Sequence, residues 1–123
     1  MAKTILIIDD SASLRQVVQI TLKGAGYDVV QAENGKDALA KLEAGAKPSL
    51  IVCDVNMPVM DGITFVKEVK GLPAFKFTPI IMLTTEAGEE KKLEGQMAGA
   101  KAWLVKPFRP EVMLKAVQKL ILP

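Results

Sequence analysis

An acid pair, a lone acid, a hydroxyl pair and a lysine stand out in this chain because each follows a short apolar run. Asp9 and Asp10 follow Thr4 to Ile8, and Asp54 follows Leu50 to Cys53 with Asn56 just beyond. Thr84, Thr85 and Glu86 follow Ile80 to Leu83, and Lys106 follows Ala102 to Val105. Two carboxylates about 4 Å apart repel by about 4 kcal/mol at an effective dielectric of about 20. Gathering three of them therefore calls for a cation. Hard oxygen ligands, with no imidazole near them, suit Mg²⁺. Lys106 adds a positive charge that can pair with Asp54 or with a phosphoryl oxygen, and Thr84 adds a hydroxyl donor. This set suits phosphoryl transfer, where catalysis is mostly positioning and charge neutralisation. A carboxylate can itself be the nucleophile, giving an aspartyl phosphate. Each residue also has an ordinary explanation. Asp9-Asp10 and Thr84-Thr85 are good helix caps, Asp54 can cap the element after it, and most lysines are simply solvated. The argument rests on the coincidence of these types at the ends of different strands.

The elements that must position them alternate strand and helix five times. The apolar runs at Thr4 to Ile8, Tyr27 to Gln31, Leu50 to Cys53, Ile80 to Leu83 and Ala102 to Val105 read as strands, rich in β-branched residues and buried on both faces. Ser11 or Ser13 can cap a first helix with Leu14, Val17, Val18 and Leu22 at helical spacing, ended by Gly24 and Gly26. Asn34 caps a second helix with Ala38, Leu39 and Leu42 inward, closed by Gly45 and Pro48. Asn56-Met57-Pro58 and Asp61-Gly62 form a tight loop before a third helix, whose apolar face is Ile63, Val66 and Val69. A fourth helix is expected from about Glu89 to Ala98, with Leu93 and Met97 inward and Gly95 as a soft point. A fifth starts near Pro110, with Val112, Met113, Ala116, Val117 and Leu120 as its buried stripe. Such alternation implies right-handed crossovers and a parallel sheet covered by helices on both faces. Ligands of such sheets bind at the carboxyl ends of the strands, which is where the acids, hydroxyls and lysine stand.

Composition narrows the chemistry. The 123 residues suit one domain with a real core, and half of them are hydrophobic. A net charge of +2 with dispersed lysines argues against nucleic-acid binding. There is no histidine, so a Ser-His-Asp triad or a histidine zinc site is excluded. A phosphohistidine, if one takes part, belongs to another protein. Cys53, the single cysteine, sits in a buried run and reads as a core residue. No run approaches the ~18 apolar residues of a membrane span, and Asp9-Asp10 ends the first run too soon for a signal peptide. The cytoplasm is the expected location.

Four stretches together resemble the receiver domain of two-component response regulators: Ile7-Ile8-Asp9-Asp10-Ser11, Asp54 to Gly62, Thr84-Thr85-Glu86-Ala87 and Trp103 to Phe108. The resemblance covers essentially the whole chain and is nearest to the single-domain chemotaxis regulators of the CheY type. It implies a flavodoxin-like (βα)5 three-layer α/β sandwich with strand order 2-1-3-4-5. It implies Asp54 as the phosphoacceptor, and Mg²⁺ held by Asp10, Asp54 and the backbone oxygen of Asn56, with Asp9 on a metal-bound water. Thr84 and Lys106 would contact the phosphoryl group, and the Lys106-Pro107 bond would be cis. Asn56 and Glu86 would flank the phosphoryl group and set its lifetime, in a pairing typical of fast turnover. Trp103 stands where Tyr or Phe is commoner; an aromatic there would fill space vacated by Thr84 and so alter the face of helix four, strand five and helix five. The implied partners are a CheA-like histidine kinase as phosphodonor, a flagellar switch protein or other target on that face, and a phosphatase, with no nucleic acid or membrane involved and the chain monomeric. A single receiver domain spanning residues 1–123, without an output domain, is the expectation. The protein would be a phosphoacceptor rather than an enzyme acting on other substrates. Two other functions fit less well. One is a receiver that serves as a phosphate sink or controls a non-motor partner. The other is a Mg²⁺-dependent aspartyl phosphatase, which would want an acid at position 56 and a cap domain.

Overall fold

In the computed structural model, residues 2–85 and 98–121 are described. Five parallel strands, β1 (Thr4–Ile8), β2 (Asp28–Ala32), β3 (Leu50–Asp54), β4 (Ile80–Thr84) and β5 (Ala102–Val105), form one sheet in the order 2-1-3-4-5. Helices α1 (Ala12–Gly24), α2 (Gly35–Glu43) and α3 (Gly62–Lys70) follow the first three strands, and a C-terminal helix spans Pro110–Leu120. This is the expected α/β architecture. The fourth helix expected at about 89–98, and Glu86 before it, lie outside the described residues except at Ala98.

Alternation of side chains splits each strand between two cores. Leu6, Ile8, Ile51, Cys53, Ile80 and Met82 pack against α2 and α3, with Ala38, Leu42, Phe65, Val66 and Val69. Ile5, Ile7, Leu50, Val52, Ile81 and Leu83 pack on the other face against α1 and the C-terminal helix, with Val18, Leu22, Met113 and Val117. Every residue of β3 and β4 is buried, as expected for central parallel strands.

The helix boundaries follow their caps. The Ser11 hydroxyl accepts from the Leu14 amide, Asn34 Oδ1 from Asp37 and Asp61 Oδ1 from Thr64. Gly26 and Gly45, with φ of 97° and 112°, take the left-handed turns after α1 and α2. The apolar faces need two corrections. Val17 is 51% exposed and Val112 43% exposed, although both were expected to face inward. The stripe of α1 follows Leu14, Val18 and Leu22 at four-residue spacing, which turns Val17 about 100° away along the helix. In the C-terminal helix, Met113 and Val117 take the core and carry Val112 outward in the same way. Among the described residues, no helix is long and apolar enough to cross a membrane.

Candidate functional site

The β3–α3 junction beside the site is a tight turn. Gly62 donates its amide to the carbonyl of Val55 at 2.8 Å. A Cβ on Gly62 would lie 2.0 Å from the carbonyl oxygen of Asp54, so only glycine lets α3 start this close to the strand end. Between them the Met60 amide donates to the Pro58 carbonyl at 2.8 Å, and Val59 is forced to φ 72°, a left-handed value that a β-branched residue rarely adopts.

At the carboxyl ends of the strands, oxygens of Asp9, Asp10 and Asp54 lie within 4.8 Å of one another. Asp9 and Asp54 are buried and Asp10 is exposed, so the cluster opens to solvent through Asp10. Lys106 crosses from the end of β5 and is shared. Its Nζ is 2.9 Å from Asp9 Oδ2 and 3.2 Å from Asp54 Oδ1. Three ionised carboxylates against one ammonium leave two negative charges, which a divalent cation would balance. Thr84, the last residue of β4, is fully buried, and its carbonyl accepts from the Lys106 amide at 2.6 Å. The Lys106-Pro107 bond is cis. Asn56 stands exposed in the loop after Asp54, and Trp103 is half-buried in β5, abreast of Met82 and packed on the α2–α3 side of the sheet.

Burial, and then the charge of Asp9, push the Asp54 carboxyl up to about 6, against the pull of Lys106. Burial works against the Lys106 charge, but its bonds and charge interactions with Asp9 and Asp54 outweigh that and hold its pKa raised. Cys53 is no rival ligand. Burial, reinforced by Asp54, pushes its thiol well up, and its Sγ donates to the Asp54 carbonyl at 3.2 Å.

The supports of Asp9 were not foreseen. Asp9 Oδ1 accepts from the Ser11 amide at 2.9 Å, so both of its oxygens are held. Arg15, one turn into α1, donates from Nη1 to the Asp9 carbonyl and from Nε to Gln31 Oε1 at 3.0 Å. A lysine does the same for the adjoining strand, where Lys41 Nζ donates to the Gln31 carbonyl. The available signal was a cation one helical turn after the Ser11 cap, on the helix end that faces the acid pair.

Residues 5–118 match the response regulator receiver domain. The chain belongs to that family. This receiver is 40% identical over 115 residues to chemotaxis protein CheY1 of Helicobacter pylori, spanning 93% of each chain. It is also similar to chemotaxis protein CheY4 of Vibrio cholerae, with a TM-score of 0.93 and 52% identity over 98% of this chain and 99% of that one. A third similar structure is the receiver domain of a Pseudomonas aeruginosa sensor histidine kinase, with a TM-score of 0.89, 26% identity and 98% of each chain covered. That structure has a magnesium ion coordinated in its active-site cleft. The chain is thus a receiver of the CheY-like chemotaxis group, and its acid cluster occupies the strand ends where ligands of such sheets bind.

Proposed function

We propose that this receiver accepts a phosphoryl group on Asp54 from a histidine kinase in the cytoplasm, with Mg²⁺ bound, and that the acylphosphate switches its β5 face toward a flagellar motor target. The observation that carries this reading is the shared Lys106 beside three carboxylates whose residual charge matches a divalent cation. The residues fit Mg²⁺: the donors are hard oxygens, and one member is open to solvent, leaving room for the waters that Mg²⁺ retains. Asp10 and Asp54 would be its carboxylate ligands, with the Asn56 carbonyl, and Asp9 would orient a bound water. When bound, the ion neutralises charge on the phosphoryl oxygens and on the acids.

The protein's own groups do the rest. An oxygen of Asp54 attacks phosphorus; the new P–O bond forms as the P–N bond to the kinase imidazole breaks, and the electron pair leaves with that nitrogen. Asp54 is predominantly ionised at pH 7 even with its carboxyl raised to about 6, so the nucleophile is ready. Lys106 moves from the carboxylate oxygens to a phosphoryl oxygen, and Thr84 donates its hydroxyl to another. Asn56 and Glu86 would govern the approach of water to phosphorus. Trp103 pairs with Met82 and Thr84 stands two residues further along β4, so movement of Thr84 would act on Trp103 diagonally across the strand pair.

The test has two stages. A small-molecule phosphodonor with Mg²⁺ should add one phosphoryl group by mass, and Asp54→Ala should add none; retained labelling moves the acceptor elsewhere. Then Trp103 fluorescence reads the titration of a flagellar switch peptide with and without beryllofluoride. Tighter binding with the mimic supports motor control. A Trp103 response without peptide binding would leave the switch intact and favour a phosphate sink.

A further inference from the structure

The pole of the sheet opposite the acid cluster presents an aromatic that the fold does not need. The loop from α3 to β4 turns through a short 3-10 helix, Pro73–Phe75, and then sends two phenylalanines in opposite directions. Phe75 packs on the α2–α3 core, whereas Phe77 is 87% exposed. The loop is not slack. Lys70 spends its ammonium on it, donating to the carbonyls of Lys76 at 3.1 Å and of Thr78. The Thr78 amide returns to the Phe75 carbonyl at 3.1 Å, and Pro73 and Pro79 stiffen both ends. Phe77 is therefore held out in a fixed place, with Lys76 Nζ 5.7 Å from its ring centre.

Two grooves flank this loop. One, of about 430 Å³, runs past Leu42, Lys47 and Phe75; the other, of about 350 Å³, runs past Lys3, Pro73 and Phe77. They share Pro48, Ala74 and Thr78, so they adjoin as the two compartments of one trough. Lys3 and Lys47 line it, Lys76 sits beside it over the Phe77 ring, and Lys101 stands just before β5, its amide on the Ile80 carbonyl at 2.9 Å. Among the described residues no carboxylate lines either groove, and the exposed acids of the elements ending at this pole, Asp28, Glu43 and Glu68, stay outside both.

We propose that this trough binds an acidic peptide segment of a partner protein, with an apolar side chain seated against Phe77 and its carboxylates paired with Lys3, Lys47 and Lys76. Charge complementarity selects an anionic occupant, and an elongated trough with two compartments fits an extended chain better than a lipid surface. Preorganisation of the loop lowers the entropic cost of docking. The trough lies at the amino ends of the strands, so a partner held there leaves Asp54 open to a phosphodonor.

The experiment displays random acidic dodecapeptides, each with one central Leu or Phe, and selects them on the immobilised full chain. Phe77→Ser and Lys47→Glu serve as paired controls, and both positions are exposed enough for the fold to survive, checked by circular dichroism. The expected result is enrichment on wild type, binding at least tenfold weaker to each variant by fluorescence anisotropy, and further weakening as salt is raised. Enrichment that both variants retain would overturn the proposal. So would failure to enrich any acidic clone. Co-sedimentation with phosphatidylserine vesicles, or self-association by analytical ultracentrifugation, lost in Phe77→Ser would assign the pole to a membrane or to a second copy and equally overturn it.

Discussion

Removing the charge of Asp54 should stabilise the metal-free protein. Asp54 is buried beside Asp9, and its carboxyl is raised from an unfolded value of about 3.9 to about 6. Between those values the folded state holds a proton that the unfolded chain has released. Stability from this group is therefore present at low pH and is lost as pH rises through about 6. Two pKa units correspond to about 3 kcal/mol. Asp54→Asn keeps the shape, leaves Lys106 paired with Asp9, and removes that penalty. The variant should exceed wild type by about 2–3 kcal/mol at pH 7.5, or roughly 10 °C in Tm for a chain of this size. The advantage should shrink steadily below pH 6 and vanish near pH 4. Because other carboxylates titrate in the same range in both proteins, the difference between them is the quantity to follow, by urea unfolding in EDTA at several pH values. Mg²⁺ at ten times its Kd should return about 1.4 kcal/mol to wild type and little to the variant. A difference that does not change with pH, or a variant less stable than wild type at pH 7.5, would refute the reasoning.

Other outcomes follow from the same geometry. Lys106→Met leaves two buried carboxylates without their shared partner and should cost about 3 kcal/mol at neutral pH by urea unfolding, less at pH 5, and abolish labelling by a phosphodonor. Gly62→Ala places a methyl group against the Asp54 carbonyl and should cost about 3 kcal/mol or more, or prevent folding, read by thermal unfolding. Val59→Asn, better suited to a φ of 72°, should gain about 0.5–1 kcal/mol in the same assay. Arg15→Met should loosen Asp9 and weaken Mg²⁺ affinity about tenfold by isothermal titration, with Arg15→Lys recovering part of the loss.

The strands were legible because each is a compact β-branched or leucine run bounded by charge, glycine or proline. Strand ends shifted by no more than a residue: β2 begins at Asp28 rather than Tyr27, and Asp54 and Thr84 close their strands from within. The gathering of Asp9, Asp10, Asp54 and Lys106 was legible too, because parallel order forces the carboxyl ends of all strands to one pole. Their roles in chemistry rest on the proposed function. What pattern alone does not reveal is which partner each charge takes. Lys106 had Asp54 or a phosphoryl oxygen as its foreseen partners, yet it is shared with Asp9. The part of Arg15 emerges only because α1 brings it back over the Asp9 carbonyl. The close approach at Gly62 and the left-handed Val59 are products of the angle between β3 and α3, which residue types do not encode singly. Val17 was misplaced because a three-residue step and a four-residue step both look helical in sequence, and only packing chooses between them.

The bond from Lys106 to Asp9 joins residues 97 positions apart. The acids at the ends of β1 and β3 can be in place before β5 exists on a growing chain, but the ammonium that balances them arrives only with β5. Until then the half-made pole carries uncompensated negative charge and no complete acceptor. If Asp54 is the acceptor proposed above, a nascent or clipped chain would stay deaf to a phosphodonor, and competence to receive a signal would certify that the whole sheet has closed.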